Sequence, residues 1–430
     1  YRETRNFLTW LKEEVEFWAL NWKDIMPENI NGSAPKLGKC ELLLNGVPDI
    51  QGLSDLRFSM SSEKAFEIIE GANIYDDNFV FLREVIQNAL DACKIRMWKD
   101  ISEGRYKKWI KRESEFGLQP YEIDRKVFDN YEVEVLLCEY DNNSLKVIIK
   151  DNGVGLSIKQ FKRICDVGKS YFNDKEKQQE INSMPIWLRP SAGFGIGLQS
   201  IFLVADYFEI FSKASNGEGI YARIESGKKN GYVQISRCDK LINQGTEIHI
   251  IIPMNFHLEY LVYDKPREFF KNKYDPFSLN INPYYITIWN KLREILSSTF
   301  FTVKIKFDGK IIDTINAKSF KKLKNKSNDN RYNYNMISNT HMELWDNKTS
   351  TGCTLSLEES KEFLYSKYYF KGMKIDDNFY INVPYILMHV DFYGLDTKST
   401  LSLDRRTIKK DAIHKINEIL KESILFYQDM

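Results

Sequence analysis

The chain has 430 residues, 43% of them hydrophobic, with 61 basic and 60 acidic side chains and a formal net charge of +1. That length suggests two or three domains with sizeable cores. The near-cancelled charge argues against a strongly basic nucleic-acid binder, and no apolar run approaches a membrane span.

The first residue is Tyr1 rather than Met, which reads as a fragment or a processed chain. Charge from Arg2 onward does not suit a signal peptide. Six cysteines (Cys40, Cys93, Cys138, Cys165, Cys238, Cys353) lack a CxxC pair, and the five histidines are dispersed. The pattern fits a reduced, cytoplasmic protein without zinc-ligand spacing better than a disulfide framework.

Residues 1–24 predict an amphipathic helix with Phe7, Leu8, Leu11, Val15, Trp18 and Trp22 on its apolar side. A linker over 27–38 and a short strand and turn over 40–58 follow. A short helix is expected over 62–70. The next, containing FLREVIQNALDACKIR (81–96), is expected to run to about 112. YEVEVLLCEY and SLKVIIK flank DNNS and predict a hairpin. Residues 168–192 are polar and weakly periodic, as in a functional loop or lid. A glycine-rich turn and a helix over 193–205 come next, then strands at 207–213, 220–225, 232–237 and 246–252. This order predicts an α+β fold: a two-layer α/β sandwich whose mixed, mainly antiparallel sheet carries helices on one face. A second α/β domain is expected over 256–404, with a Lys- and Asn-rich loop at 318–340. An amphipathic helix over 405–430 closes the chain, its apolar positions including Ile408, Ile413, Ile416, Leu420 and Ile424.

Four elements occur in one order: Glu84-x-x-x-Asn88-x-x-Asp91, Asp151-x-Gly153-x-Gly155, Gly193-Phe-Gly195-Ile-Gly197, and Gly245-Thr246. Each alone is a weak signal, but their order on helix, strand end, loop–helix junction and strand start is specific. Glu84, Asn88 and Asp91 share one helical face by spacing. A neutral carbonyl oxygen on Asn88 suits Mg²⁺ beside phosphate, and Glu84, one turn earlier, suits a general base. Asp91 is expected to order the helix or the phosphate site. Asp151, directly after an apolar strand, suits acceptance of an adenine amino proton, with Gly153 and Gly155 letting the backbone approach closely. The 193–197 turn can present N–H groups to phosphates.

These motifs resemble the GHKL ATPases, among them gyrase B, MutL, sensor histidine kinases and the ninety-kilodalton heat-shock chaperone. FLREVIQNALDA and GFGIGLQSIFLVAD are most similar to the chaperone group. The resemblance covers about 60–252 and continues weakly through TLSLDRRTI (400–408). It implies a Bergerat ATP-binding domain over 59–255 with a lid about 168–192, preceded by an N-terminal extension over 1–58. A middle domain of ribosomal-S5-domain-2-like type would follow. It further implies ATP and Mg²⁺ as ligands, Thr246 supporting the adenine site, and Lys169 beginning the lid near a phosphate. Arg405, or its neighbour Arg406, would reach the γ-phosphate from the middle domain. The sequence departs from the family's GxxGxG pattern at Ala192.

The implied activity is that of a chaperone-like ATPase in which Mg-ATP closes the lid and couples to domain docking and homodimerisation, with an unidentified protein client. One alternative is a nucleic-acid-directed relative of the MORC, MutL or gyrase kind, for which only KKLKNKSNDNR (321–331) offers a basic patch. The other is a nucleotide-gated scaffold without turnover.

Overall fold

A computed structural model describes residues 2–26, short stretches between 32 and 60, and then 79–158, 160–161, 166–167, 175–191, 197–215, 217–226, 232–238, 243–254, 283–296, 299–315, 325–326, 331–338, 340–357, 366–375, 385–402 and 405–428. The helix expected over 62–70, and Lys169, Ala192, Gly193 and Gly195, lie outside these residues. Helix α1 (Arg2–Leu20) forms where periodicity predicts it, although Phe7 and Trp18 of its apolar side are more than half exposed.

Helix α2 spans Val80–Ser102 and is the centre of the first module. Its apolar side chains Phe81, Leu82, Val85, Ile86, Ala89, Cys93 and Met97 are all buried. Each large one contributes about 1.5–3 kcal/mol by leaving water. The helix stops well short of the expected residue 112. Gly104 takes a left-handed φ of 82° just past Ser102, and its N–H bonds back to Ile101.

Six strands of one sheet follow: β1 (Glu132–Asp141), β2 (Ser144–Asp151), β3 (Tyr207–Lys213), β4 (Ile220–Glu225), β5 (Val233–Arg237) and β6 (Gly245–Pro253). Val133, Val135 and Leu137 of β1 and Leu145, Val147 and Ile149 of β2 are buried, while their neighbours are half exposed or open. Period-two alternation thus gives the sheet one apolar face, and α2 covers it. Helix α3 (Lys175–Ser183) lies inside the stretch expected to be a lid, and Gly197–Leu203, within the glycine-rich turn and helix expected over 193–205, forms a 3₁₀ turn.

Helix α4 (Pro283–Ile295) precedes β7 (Thr302–Phe307) and β8 (Lys310–Ile315). The first sheet has eight strands in the order β8-β7-β1-β2-β6-β3-β4-β5. It therefore extends past the boundary drawn at 255. β7 runs parallel to β1 and the other pairs are antiparallel. Lys304 meets Glu132 at 2.5 Å and Lys306 meets Glu134 at 2.6 Å across the parallel pair, while Val303 and Ile305 turn to the core. Opposite charges on one face and apolar side chains on the other fix this register.

The second sheet has seven strands: β9 (Asn325–Lys326), β10 (Tyr332–Ser338), β11 (His341–Asp346), β12 (Thr351–Leu357), β13 (Lys367–Phe370), β14 (Met373–Lys374) and β15 (Ile386–Phe392). Their order is β9-β10-β11-β12-β15-β13-β14, antiparallel except where β13 runs parallel to β15. Helix α5 begins at Lys410 rather than 405 and runs to Gln428. Its Ile416, Ile419 and Leu420 bury against Met342, Leu344, Leu355, Met388 and Val390. Ile408 is not part of that helix: it bridges back to Leu401 and closes a loop over 402–407. The two modules share a core, since Trp345, Met373 and Tyr393 join the cluster formed by α2 and the first sheet. The observed architecture is α+β, with mixed and mostly antiparallel sheets, as the sequence predicts.

Candidate functional site

The polar stripe of α2 is buried and partnered. Glu84 is 2% exposed and Asp91 3%, whereas Asn88 between them is only half buried. An Arg405 Nη1 lies 3.3 Å from Glu84 Oε2. Arg405 comes from the loop that Ser402 and Thr407 close with a backbone bond of 2.9 Å, and its own N–H bonds to the Ser402 carbonyl. It has a left-handed φ of 56°, a strained choice for a residue with a long side chain. Arg405 is thus displayed by a tight turn, not by a helix start. The loop is tied to α2 a second time, because Arg83 donates to the carbonyls of Arg405 and Lys374.

Gly197 sits against the same carboxylate. A Cβ at this position would lie 2.3 Å from Glu84 Oε2. Gly197→Ala is therefore expected to push Glu84 off Arg405 and to destabilise the protein by about 1–3 kcal/mol through overpacking. Thermal denaturation checks this, and an unchanged midpoint would refute the close approach.

Asp91 is enclosed by hydrogen-bond donors. Its carboxylate accepts from Lys94 Nζ (2.9 Å), Gln87 Nε2 (3.1 Å), and the N–H and hydroxyl of Ser191 (2.8 and 2.9 Å). Burial pushes this carboxyl up, but Lys94, with help from Lys371 and Ser191, brings it below the usual range. Asp91 therefore holds the backbone at Ser191.

Asp151 and Thr246 are brought together by the β2–β6 ladder, in which they are directly opposed. The Asp151 carboxylate accepts from the Gly153 N–H at 2.8 Å and also takes the Thr246 N–H. Burial dominates these bonds and the pull of Arg96, and raises the carboxyl to about 7. Behind it, Ser212 links three elements: its hydroxyl lies 2.9 Å from Thr246 Oγ1, accepts from Leu156 N–H and donates to the Gly245 carbonyl. Gly155 has a φ of 64°, and a Cβ there would lie 2.0 Å from the Lys213 carbonyl, so only glycine fits. Gly153 is pressed against Ala92 of α2. This turn fastens strand β2 to the helix that carries Glu84 and Asn88.

The structure thus joins Glu84 with Arg405 and Gly197, and Asp151 with Gly153, Gly155 and Thr246. Of the arginine pair, Arg405 lies beside Glu84. Sequence reasoning missed Arg83, Lys94, Ser212 and Lys371. Lys94 lies three residues from Asp91 and was open to a spacing argument; Ser212 looks like any residue of an alternating strand.

No family model matches the chain. It is similar to chaperone protein HtpG of Orientia tsutsugamushi, 24% identical over 235 residues, which cover 55% of this chain and 33% of that protein. HtpG of Wolbachia pipientis wMel is 27% identical over 208 residues, covering 47% of this chain and 29% of that one. The chain is thus similar to the HtpG-type heat-shock chaperones over about half its length. The mitochondrial heat shock protein 75 kDa of Bos taurus matches in the same way, 26% identical over 214 residues, 45% of this chain and 26% of its own. The HtpG-like match spans about a third or less of the length of these curated relatives. Among the described residues no helix is long and apolar enough to cross a membrane.

Proposed function

We propose that this HtpG-like chain binds and hydrolyses Mg-ATP in a GHKL, Bergerat-type site, and that the second module, of the S5-like middle-domain kind, reports on the nucleotide through Arg405. The observation that carries this reading is the buried meeting of Arg405, from the second module, with Glu84 on the helix that Gly153 fastens to Asp151. In this reading Asp151 accepts the adenine amino proton, with the N–H groups of Gly153 and Thr246 holding its carboxylate in place and Ser212 backing the Thr246 hydroxyl. Water attacks the γ-phosphorus, the bond to the ADP oxygen breaks, and the water proton passes to Glu84. Arg405 turns from Glu84 to the γ-phosphate and stabilises the charge that develops there.

The described residues contain no group of three or more His, Cys, Asp or Glu placed to hold a metal. A Mg²⁺ would therefore take its ligands from the Asn88 carboxamide oxygen, phosphate oxygens and water, a set that suits this hard cation. It would supply charge neutralisation on the phosphates. Lys169, Gly193 and Gly195 belong to the phosphate side of this proposal. Closure of 168–192, homodimerisation through the first module and a protein client are its wider parts. A nucleotide-gated scaffold without turnover is the second reading, favoured by one observation: Glu84 is held by Arg405 rather than turned toward water.

The raised carboxyl of Asp151, at about 7, gives a direct test. Only the ionised form accepts fully from adenine, so affinity must fall as pH drops through that value. Between about pH 8 and about pH 6 the loss is expected to be about tenfold, as for competition by a single proton. Calorimetry with ATP, and with adenosine, which has no titrating phosphate, should show the same slope. Absence of binding at every pH would overturn the proposal.

A further inference from the structure

The turn between β13 and β14 carries a lysine where a two-residue hairpin ordinarily takes asparagine or glycine. Phe370 pairs with Met373, so Lys371 and Gly372 are the central residues, with φ of 51° and 89°. The left-handed conformation is unfavourable for a long side chain, and yet Lys371 is only 5% exposed. Its ammonium reaches across the module junction. Lys371 Nζ donates to the Arg189 carbonyl at 3.1 Å and to the Pro190 carbonyl at 3.3 Å.

Those carbonyls immediately precede Ser191, whose N–H and hydroxyl are held by Asp91. Residues 189–191 are therefore gripped twice: on their carbonyls by the second sheet, and at the next amide by α2. In sequence they lead from α3 toward Gly197, which touches Glu84. The charged groups that face Lys371 are Lys94 and Asp91 from α2, Asp396 from its own module, and Arg189. Burial, with repulsion from Lys94, drives the lysine down to about 7 against the pull of Asp91 and Asp396. Those two hydrogen bonds offset part of a costly burial in a costly backbone conformation.

We infer that Lys371 is a positioning residue, through which the second sheet fixes the backbone of 189–191 beside the Asp91 anchor on α2. Its consequence for nucleotide rests on the ATP reading above; the grip itself does not.

The test compares Lys371→Met, which keeps the buried stem and removes the donors, with Lys371→Arg, which keeps donors. Hydrogen exchange of the unliganded protein reads the grip directly. In Lys371→Met the Ser191 amide is expected to exchange at least about tenfold faster, with core strands β1 and β2 unchanged, because local opening reports local restraint. Lys371→Arg should recover most of the protection. In the same variants ATP affinity should weaken about tenfold with Met while turnover at saturation stays within about threefold, the pattern of lost ground-state binding. Unchanged exchange at Ser191 in Lys371→Met, or Arg behaving like Met, would overturn the inference. A wild-type protein that binds no nucleotide would overturn the ATP reading instead, and the exchange contrast would still decide the role of Lys371.

Discussion

Glu84→Gln is expected to lower ATP turnover by about 10²–10⁴-fold, the usual worth of a positioned general base, while ATP affinity stays within about threefold. Glutamine keeps the size of the side chain and one oxygen toward Arg405, so the loop over 402–407 should stay in place. Glu84→Ala should do more. Arg405 is buried, and deleting the carboxylate leaves its charge without that partner. Breaking a buried pair from one side costs about 3–5 kcal/mol, so the alanine variant should also melt earlier and loosen the contact between the modules. Steady-state turnover with a parallel melting curve separates the two effects. Turnover of Glu84→Gln equal to wild type would remove Glu84 from the chemistry and leave it as the second module's anchor, the arrangement that a scaffold without turnover requires.

Asp151→Asn is expected to weaken ATP binding about 10- to 100-fold, the range for turning a buried acceptor into a mismatched donor. The Asn oxygen can still take the N–H groups of Gly153 and Thr246, which leaves its NH₂ group facing an adenine amino group that also donates. Stability should move the other way. The native carboxyl is raised to about 7 from an ordinary value of 3.8. The folded state therefore holds its proton more tightly than the unfolded chain, and its contribution is fully present below the ordinary value. It is lost as pH rises through about 7. Asparagine carries no such loss, so at about pH 8 the variant should be at least as stable as wild type. Weaker binding with equal or higher stability would set Asp151 apart from a residue that merely supports the fold. Unchanged affinity would refute the adenine role.

Much of this site is written in local spacing. Glu84, Asn88 and Asp91 share a helical face because 3.6 residues make a turn, and alternation in 132–151 gives a hairpin whose last residue is Asp151. The glycines at 153 and 155 mark a turn under close contact, and the structure supplies the contacts in Ala92 and the Lys213 carbonyl. These features depend on residues a few positions apart, so periodicity reports them. The helix ends were less legible. The pattern of α2 continues past Ser102, and what stops it is the left-handed Gly104, a single residue with no periodicity.

Other features depend on chain segments that meet only in three dimensions. FTVKIKF (301–307) reads as a strand by its alternation. Only the folded chain sets it parallel to β1, where Lys304 and Lys306 find Glu132 and Glu134. LSLDRRTI shows a pair of arginines, and the fold brings Arg405 to Glu84. Lys371 sits in a two-residue turn, and only the folded chain brings it to the carbonyls of Arg189 and Pro190. By itself the sequence determined the carboxylate face of α2, the strand that ends at Asp151 and the glycines that turn beside it. The tertiary structure decided which distant cation meets each carboxylate, because such pairing is set by how the second sheet closes on α2, a geometry that no local period encodes.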